Sequence, residues 1–430
     1  MSEVIDIPEG HKVTEVGIIP NEWISDKVGN LFDFIASYSH SRNELTEDSN
    51  EGAIKYIHYG DIHSKYGFQL IDVKHEKIPY LRADISNGKE FKFLQEGDVV
   101  LADASEDYEG IAECIELKSI GNQKIIGGLH TIVLRDKNHH TSLGFRSYIF
   151  SNARVRKALM KIATGISVYG ISKSNLSKTS IALPPTDEQK KIATILSTWD
   201  KAIEVTQGII GHLRLRNKGF AQQLLTGKKR LKGFSGEWRK RPLSYFLEYE
   251  SRPVDKPTKN FLALGLRSHG KGVFHKPDFD PNTIAMDTLY EVKENDLIVN
   301  ITFAWEHAIA VANKEDEGGL VSHRFPTYVF KENRAHFSFF RFFVLQPYFK
   351  FLLELISPGG AGRNRVMSKK DFLKLEVRCP DIEEQYSIAQ VLEEASKELQ
   401  LYKKKLATLQ EQKKGLMQKL LTGEIRVKTT

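Results

Sequence analysis

The chain has 430 residues, of which 40% are hydrophobic and 27% are charged, the composition of a globular protein. This length exceeds one ordinary domain core and favours two to four domains. No apolar run approaches the roughly 18–20 residues of a membrane-spanning helix, and the first residues lack the apolar centre of a secretion signal. We therefore expect a cytoplasmic protein with no membrane association. The net charge of +7 permits nucleic-acid binding without establishing it.

A basic stretch marks the middle of the chain. Residues 228–241 contain seven lysines and arginines against one glutamate. A solvated linker between two halves and a surface that contacts phosphate groups both explain this charge. The sequence does not separate these two explanations.

Both halves of the chain begin with a tryptophan phrase, at Trp23 and Trp238, and continue with short apolar runs bounded by glycine, aspartate and asparagine. Such runs, rich in β-branched and aromatic residues, predict strands. The predicted strands lie at 56–62, 96–101 and 131–134 in the first half and at 261–265, 294–299 and 327–330 in the second. Aromatic-rich helical stretches follow at 147–162 and 337–355. The common order of elements indicates two related modules.

The clearest sign of duplication follows these elements in each half. Pro184–Gly227 aligns without a gap to Pro380–Gly423, at a constant offset of 196 residues and with 15 of 44 positions identical. Proline and acidic residues at the start, and Thr-Gly at the end, are typical start and stop signals of a helix. We predict one helix in each half, about 40 residues and ~60 Å long at 1.5 Å per residue.

Apolar residues recur in both predicted helices with alternating steps of four and three. This 3.5-residue period, kept over some five heptads, predicts a coiled-coil seam rather than a general amphipathic face. In the first helix the seam consists of Ile192, Leu196, Trp199, Ile203, Ile210, Leu213, Phe220 and Leu224. In the second helix it consists of Ile388, Leu392, Leu399, Tyr402, Leu406, Leu409, Leu416 and Leu420.

The seam turns polar at two equivalent positions, Asn217 and Lys413. Polar seam residues often fix the register of a helix pair. The chain must return through a second module before the second helix begins, which favours an antiparallel pair. Counting from each end then places Lys413 opposite Trp199, and the same count places Asn217 opposite Ala395.

Sequence signatures of catalysis are missing from the chain. It has no G-x-x-x-x-G-K-[ST] phosphate loop, no G-x-G-x-x-G turn, no G-x-S-x-G elbow and no H-E-x-x-H helix. The adjacent His139 and His140 would not share one helical face, so we interpret them as surface-loop residues and not as metal ligands. A self-sufficient DNA-modifying enzyme would need motifs that this sequence lacks.

Two pairs of loops carry residues suited to contact a ligand, at 102–110 and 300–307, and just before each long helix. Ser172-Lys173 and Ser368-Lys369 keep the 196-residue offset and suit phosphate contacts, whereas the divergent loop residues suit base reading. Ordinary polar loops with a helix-capping serine are the alternative. The candidate DNA-binding residues are Ser105, Tyr108, Tyr169, Ser172, Lys173, Trp305, His307, Arg363, Asn364, Arg365, Ser368 and Lys369.

Together these motifs resemble the specificity subunit of type I restriction-modification systems, over almost the whole chain. The resemblance rests on the Pro-x-x-Trp-like opening, the Gly-Asp strand, the loop with Ile171-Ser172-Lys173, the P-x-x-E-Q-x-x-I-A-x-x-L helix entry and the K-x-x-L-L-T-G exit. The second half departs from the pattern where Cys379-Pro380-Asp381 replaces Leu-Pro-Pro and where Asn295 replaces a glycine. These departures concern loop geometry and leave the scaffold intact.

The resemblance implies a mixed α/β fold, in which two target recognition domains are separated by two long antiparallel helices that form a coiled coil. This is a tandem repeat with pseudo-two-fold symmetry. The expected boundaries are 1–182 for the first recognition domain, 183–227 for the first spacer helix, 228–378 for the basic linker with the second recognition domain, and 379–425 for the second spacer helix. Each domain would read one half of an asymmetric, interrupted site in double-stranded DNA.

The resemblance also implies partners. The helices would dock two methyltransferase subunits, to which restriction and translocase subunits are added. S-adenosylmethionine, ATP and magnesium are expected on those partners, and no cofactor or metal on this non-catalytic chain. The alternative, a coiled-coil scaffold that binds only proteins, explains the helices but leaves two strand-rich modules with divergent loops unused.

Overall fold

The computed structural model describes residues 7–357 and 366–428 of the 430-residue chain. The chain divides into two compact units, the first formed by residues 1–207 and 405–430 and the second by residues 208–404. Each unit therefore takes part of both long helices. Within the described ranges no helix combines the length and the apolar character that a membrane crossing requires.

The first unit contains fifteen strands among its described residues. They are β1 (His11–Thr14), β2 (Gly17–Pro20), β3 (Ile24–Lys27), β4 (Phe32–Ile35), β5 (Leu45–Thr46), β6 (Ile54–Ile57), β7 (Leu70–Asp72), β8 (Tyr80–Leu81), β9 (Val99–Ala102), β10 (Ala104–Ser105), β11 (Cys114–Lys118), β12 (Lys124–Gly127), β13 (Thr131–Asp136), β14 (Tyr169–Gly170) and β15 (Ser180–Leu183). Its helices are α1 (Val28–Leu31), α2 (Tyr59–Ser64), α3 (Ala83–Ser86), α4 (Arg146–Ile149), α5 (Ala153–Ile162), α6 (Lys173–Ser177), the first part of α7 (Thr186–Leu224) and the last part of α12 (Ile382–Thr422).

A five-stranded sheet in the order β4-β13-β9-β11-β7 forms the centre of the first unit. A four-stranded sheet in the order β12-β6-β8-β5 lies in the same unit. The remaining strands form the pairs β1-β2, β10-β14 and β15-β3. Most neighbours are antiparallel, whereas β11 with β7 and β12 with β6 are parallel.

The second unit contains β16 to β26, the last part of α7, the short helices α8 to α11 and the first part of α12. Its strands are β16 (Arg239–Pro242), β17 (Leu247–Glu250), β18 (Pro253–Asp255), β19 (Phe261–Leu266), β20 (Val273–Phe279), β21 (Thr288–Glu291), β22 (Leu297–Val299), β23 (Ile309–Val311), β24 (Leu320–Val321), β25 (Thr327–Phe330) and β26 (Glu376–Cys379). Its helices are α8 (Leu243–Phe246), α9 (Phe337–Phe343), α10 (Pro347–Leu355), α11 (Lys369–Lys374) and the first part of α12 (Ile382–Thr422). The sheets have the orders β17-β25-β22-β23 and β18-β21-β24-β19-β20, with β16-β26 as a separate pair.

The continuous apolar runs of β9 and β22 follow from burial on both faces of a sheet. Successive side chains of a strand point to opposite faces. In β9, Val99 and Leu101 belong to one apolar core, whereas Val100 and Ala102 belong to another. Strand β22 divides in the same way between two cores of the second unit. These two strands end next to the loops that the sequence analysis singled out.

Three predicted elements differ from the observed ones. The predicted strand at 56–62 ends at Ile57, because the His58 side chain accepts a hydrogen bond from the Gly60 amide and caps helix α2. The predicted helix at 147–162 is divided into α4 and α5, with Asn152 as the N-cap of α5. The predicted helix at 337–355 is divided by Pro347, which begins α10 and cannot continue α9.

The two long helices are confirmed, at 39 and 41 residues. Gly227 and Gly423 follow them with φ angles of 69° and 77°, the left-handed conformation that ends a helix and that glycine adopts without strain. Off the seam, the side chains of Leu215 and Leu401 are 70% and 67% exposed. None of the predicted seam residues is exposed, and nine of them are fully buried: Ile192, Leu196, Ile203, Ile210, Leu213, Leu224, Ile388, Leu392 and Leu420.

The helix segments are antiparallel within each unit. In the first unit, Lys413 Nζ lies 2.5 Å from Asp200 Oδ1, one residue beyond the predicted partner Trp199. In the second unit, Asn217 Nδ2 donates to the Ala395 carbonyl at 2.7 Å, which confirms the predicted register.

A buried clamp closes the helix ends of the first unit. The Trp23 indole donates to Glu188 Oε2 at 3.1 Å, and the Arg426 guanidinium donates to both carboxylate oxygens at 2.8 and 2.9 Å. Only 1% of the Glu188 residue is exposed. A buried carboxylate needs such charge-assisted hydrogen bonds to offset its desolvation. The tryptophan phrase, the helix entry and the segment after the helix exit therefore form one structure.

The second unit builds the same clamp from equivalent residues. Trp238 donates to Glu384 Oε2 at 3.2 Å, and Arg230 donates to both oxygens of Glu384 at 2.5 Å. Arg230 and Arg426 are separated by the 196-residue offset of the repeat. Arg230, one of the seven basic residues of segment 228–241, thus forms an ion pair within the second unit.

Candidate nucleic-acid interface

A frame of backbone hydrogen bonds brings the two candidate loops of the first unit together. Strand β10 pairs with β14, so that Ser105 lies opposite Tyr169. Beside this pair, the Ile171 amide donates to the Asp103 carbonyl at 2.9 Å, and the Asp103 amide donates to the His130 carbonyl at 3.0 Å. The loop after β9 and the loop before the long helix are therefore neighbours.

The second unit repeats this frame with different residues. The Met367 amide donates to the Ile301 carbonyl at 2.9 Å, and the Ile301 amide donates to the Arg324 carbonyl at 2.9 Å. Ile301 and Arg324 thus occupy the places that Asp103 and His130 hold in the first unit. The backbone arrangement is conserved within the chain, whereas the side chains on it are not.

Tyr108 and Tyr169 form an aromatic pair at the first interface. Their ring centroids are 3.9 Å apart at an interplanar angle of 31°, and Tyr108 remains 47% exposed. Stacked rings with one open face suit contact with a nucleic-acid base or sugar.

The loop that carries Tyr108 is held by hydrogen bonds at several points. The Gly110 amide donates to Asp107 Oδ1 at 2.6 Å, and Arg156 donates to two backbone carbonyls at 109 and 111. A Cβ at Gly110 would lie 2.3 Å from Ser105 Oγ, so a larger residue there would have to displace the Ser105 side chain. Ser105 itself is buried and accepts a hydrogen bond from the Asp107 amide at 3.3 Å. Its position favours shaping the loop over touching a ligand.

The Ser-Lys pairs lie at equivalent helix starts. Ser172 is the N-cap of α6 and accepts from the Asn175 amide at 3.1 Å, and Ser368 is the N-cap of α11 and accepts from the Asp371 amide at 3.4 Å. The helix-capping alternative therefore applies to both serines. A capping hydroxyl still has its own proton to donate, so capping is compatible with a phosphate contact.

The two lysines differ in their surroundings. Lys173 is exposed and lies near the Asp103 carboxyl group, whose negative charge it helps to stabilise. Lys369 Nζ lies 3.2 Å from the Tyr249 hydroxyl and 5.0 Å from the centre of its ring. The second lysine is thus already oriented by an aromatic side chain.

In the loop after β22, the short turn Ala304–Glu306 is followed by His307 in the left-handed conformation, with φ at 65°. The His307 ring is buried and Nε2 lies 2.7 Å from the Val344 carbonyl. Burial lowers the pKa of His307 and keeps its ring neutral. The indole nitrogen of Trp305 donates to the Thr302 carbonyl at 3.2 Å. His307 therefore positions the loop from inside the unit, which is the role that its burial favours over base contact.

Three predicted contact residues, Arg363, Asn364 and Arg365, lie outside the described residues. They remain predictions. Among residues 7–357 and 366–428, no group of three or more histidine, cysteine, aspartate or glutamate side chains is arranged to hold a metal ion.

The candidate residues chosen from the sequence did not include those whose backbone groups form the hydrogen bonds of the frame. Asp103, His130 and Arg324 stand beside the candidate loops, and His130 and Arg324 are exposed. Burial raises the pKa of Asp103, while the adjacent His130 and Lys173 lower it in part. The signal was present as the aspartate after the buried strand β9 and the residue just before β13, but their proximity depends on the sheet.

Comparison with known proteins bears on what this interface does. The sequence profile described as "Type I restriction modification DNA specificity domain" matches residues 20–214. A putative type I restriction enzyme specificity subunit, MjaX of Methanocaldococcus jannaschii, is 25% identical over 445 residues, covering 98% of both chains. The MjaVIII specificity subunit of the same organism is 23% identical over 302 residues, covering 65% of this chain and 70% of its own. The chain is thus similar to type I restriction-modification specificity subunits along nearly its whole length, and its residues 20–214 match the domain model of that family.

Solved structures agree with this family at the level of the fold. The S subunit of a type I system from M. genitalium aligns with a TM-score of 0.52 at 14% sequence identity, covering 95% of this chain and 97% of that one. A chain from a structural study of type I complex assembly and conformational transition also aligns with a TM-score of 0.52 at 14% identity, covering 95% and 99%. The predicted fold of mixed α/β recognition domains with two long antiparallel helices is confirmed.

Proposed function

We propose that this chain is the DNA sequence-specificity subunit of a type I restriction-modification complex. It recognises an asymmetric, bipartite DNA site through two recognition domains and carries no catalytic machinery of its own. The observation that supports this most directly is the repeated backbone frame with unlike side chains, Asp103 and His130 in one copy and Ile301 and Arg324 in the other. Because the backbone frame is the same in both domains, each domain presents its loops to DNA in the same way. Because the side chains differ, each domain reads different base pairs.

The assignment of domains follows from the repeat. The recognition domains are residues 1–182 and 228–378, and the spacer helices are residues 183–227 and 379–425. Tyr108, Tyr169, Lys173, Trp305 and Lys369 are the contact candidates with described positions. Arg324 joins them because it is an exposed cation beside the frame. Ser172 and Ser368 contribute through their helix starts, and Ser105 and His307 hold loops in place.

The partners are double-stranded DNA, methyltransferase subunits, for which two equivalent docking positions are expected, and restriction subunits. The duplicated clamps around Glu188 and Glu384 support two equivalent positions, because they repeat the same local structure. S-adenosylmethionine, ATP and magnesium belong to the partner subunits. We expect the complex to act in the cytoplasm.

The test is to express the chain with its methyltransferase partner in a host without adenine methylation and to sequence the methylome. We expect one bipartite adenine-methylated motif that requires both proteins. Replacing residues 1–180 with those of a relative would then alter one half of the motif and leave the other half unchanged. A methylome in which no bipartite motif depends on this chain contradicts the proposal.

A further inference from the structure

Two histidines contact the strand that joins the reading loops of the first unit. His63 comes from helix α2 and His130 from the turn before β13, and both reach the segment 103–104. This segment continues into Ser105 of β10, and β10 pairs with β14, the strand that contains Tyr169. The histidines are therefore placed to fix, or to release, the loop that the proposed function assigns to base reading.

The hydrogen bonds of His63 require two protons on its ring. Nδ1 lies 2.7 Å from Glu113 Oε2, and Nε2 lies 3.0 Å from the Ala104 carbonyl oxygen. Both partners are acceptors only, and a neutral imidazole has a single N–H donor. Only the imidazolium can make both bonds. A neutral ring keeps one of them and loses the other, either the bond to Glu113 or the bond to the Ala104 carbonyl of strand β10.

His130 adds a second charge that depends on protonation. Its Nδ1 lies 3.1 Å from Asp103 Oδ1, and its side chain is 51% exposed. The equivalent position in the second unit is Arg324, opposite Ile301 in place of the aspartate. An arginine keeps its charge throughout the physiological range, whereas the charge of a histidine depends on the protonation of its ring.

The groups that face the two rings come from several elements. Around His63 these are Tyr59 of its own helix and Glu113 of the loop before β11. His63 and Glu113 line a cleft of about 630 Å³, and its other charged lining residues are Glu109, Arg156, Lys413 and Lys414. Around His130 they are Asp103, Tyr59 and His58. Burial and then Arg42 lower the pKa of His58, which is thereby kept neutral.

We propose that DNA reading by the first recognition domain is proton-linked through His63 and His130, whereas reading by the second is not. His63 acts as a positioning residue, because its imidazolium connects α2 to Glu113 and to strand β10, which precedes the reading loop. His130 supplies beside that loop a positive charge that the second domain supplies permanently with Arg324. The inference rests on the proposed function and concerns the regulation of the same site.

The site with protonated histidines is more ordered and more positive than the site with neutral histidines, so proton binding should strengthen DNA binding. Binding that requires the imidazolium is favoured at low pH and weakens as rising pH removes the second ring proton. One linked proton changes an equilibrium constant by at most about tenfold per pH unit. The two half-sites of one DNA target should therefore respond differently to pH.

The experiment measures half-site discrimination by the full chain with its methyltransferase partner. Fluorescent duplexes carry the intact motif, a scrambled first half or a scrambled second half. The ratio of affinities for intact and scrambled duplexes isolates each half-site from general salt and charge effects. From about pH 6 to about pH 8 we expect discrimination at the first half-site to fall about tenfold and at the second half-site to change less than about twofold.

Variants separate the two histidines from general pH effects. His63→Gln removes the second ring donor and should lower first-half discrimination at pH 6 part of the way to the level of the unmodified protein at pH 8. His130→Arg places the arginine of the second domain in the first, so discrimination should fall less between pH 6 and pH 8 than in the unmodified protein. His75→Gln, an exposed histidine of the same unit, should behave as the unmodified protein. Unchanged discrimination at the second half-site shows that each variant is folded.

Equal pH responses at both half-sites overturn the proton linkage, as does an undiminished response at the first half-site in the variant carrying both changes. A chain that binds no bipartite DNA at either pH contradicts the proposed function itself. Failure of the inference and failure of the function are therefore distinct results.

Discussion

Glu116 shows how a single buried carboxyl group makes the first unit sensitive to pH. It is fully buried, and its oxygens accept the Gly144 amide at 2.7 Å and the Ser147 amide at 3.3 Å. Burial raises its pKa to about 7, although these backbone hydrogen bonds and the nearby Arg146 lower it in part. A raised pKa of an acid means that the folded state binds the proton more tightly than the unfolded state.

The resulting stability is present at low pH and is lost as the pH rises through about 7. We expect the free energy of unfolding of the unmodified chain to fall by up to about 3 kcal/mol between acid and alkaline conditions from this group. Glu116→Gln should remove most of that fall, because glutamine has no charge to desolvate. Urea unfolding at pH 4 and pH 8.5, on either side of the range over which the stability is lost, measures the difference. Glu47→Gln, at an exposed position, serves as the matched control and should leave the pH dependence unchanged.

At the same scale, sequence patterns predicted residue types better than residue roles. The pairs Ser172-Lys173 and Ser368-Lys369 were found through their offset, and both serines do begin helices. The sequence could not show that His307 is turned inwards, because its burial depends on Val344 in a distant helix end.

At the scale of elements, the two long helices share a seam but differ in its polar layer. In the first unit Lys413 pairs with Asp200, which also accepts the Tyr148 hydroxyl at 2.6 Å. Lys413 and Asp200 are each only 14% exposed. In the second unit the equivalent residue, Asn217, makes a neutral amide hydrogen bond to a helix carbonyl. Equivalent positions thus carry a buried ion pair in one unit and a neutral contact in the other.

This difference predicts unequal costs for the same substitution. Lys413→Leu leaves a buried aspartate without its cation and should cost about 2–4 kcal/mol of unfolding free energy. Asn217→Leu removes one neutral hydrogen bond and should cost about 1 kcal/mol or less. Urea denaturation of both variants gives the comparison. Adding Asp200→Leu to the first variant should recover most of the loss, and an equal cost for the two single variants would contradict the interpretation.

The divided helices illustrate why element boundaries escaped prediction. The apolar periodicity of 337–355 continues through Pro347, and only the absence of an amide proton on the proline separates α9 from α10. The long helices were predicted well because their seam, acidic entry and glycine exit all indicate the same boundaries.

For the whole molecule, equivalent lysines should support binding without setting the target sequence. Lys173→Ala and Lys369→Ala should each weaken specific and non-specific DNA binding alike, by about three- to tenfold, and reduce the salt dependence by about one unit of slope. Titration of DNA at several salt concentrations measures both quantities, and methylome sequencing checks that the motif is unchanged. Lys74→Ala, at an exposed position of the first unit, is the control. A changed motif would mean that the lysines read bases.

The sequence by itself determined the duplicated scaffold: two long helices with one seam, two buried central strands and equivalent positions separated by a constant offset. These features depend on local periodicity and on residues close together in the chain. Only the tertiary structure decided which side chains meet. Asp103 and His130 are brought together by the frame beside β9 and β13, and Trp23 meets Glu188 and Arg426 across almost the whole chain length. Contacts between distant residues depend on strand order and helix pairing, because these set which remote segments become neighbours.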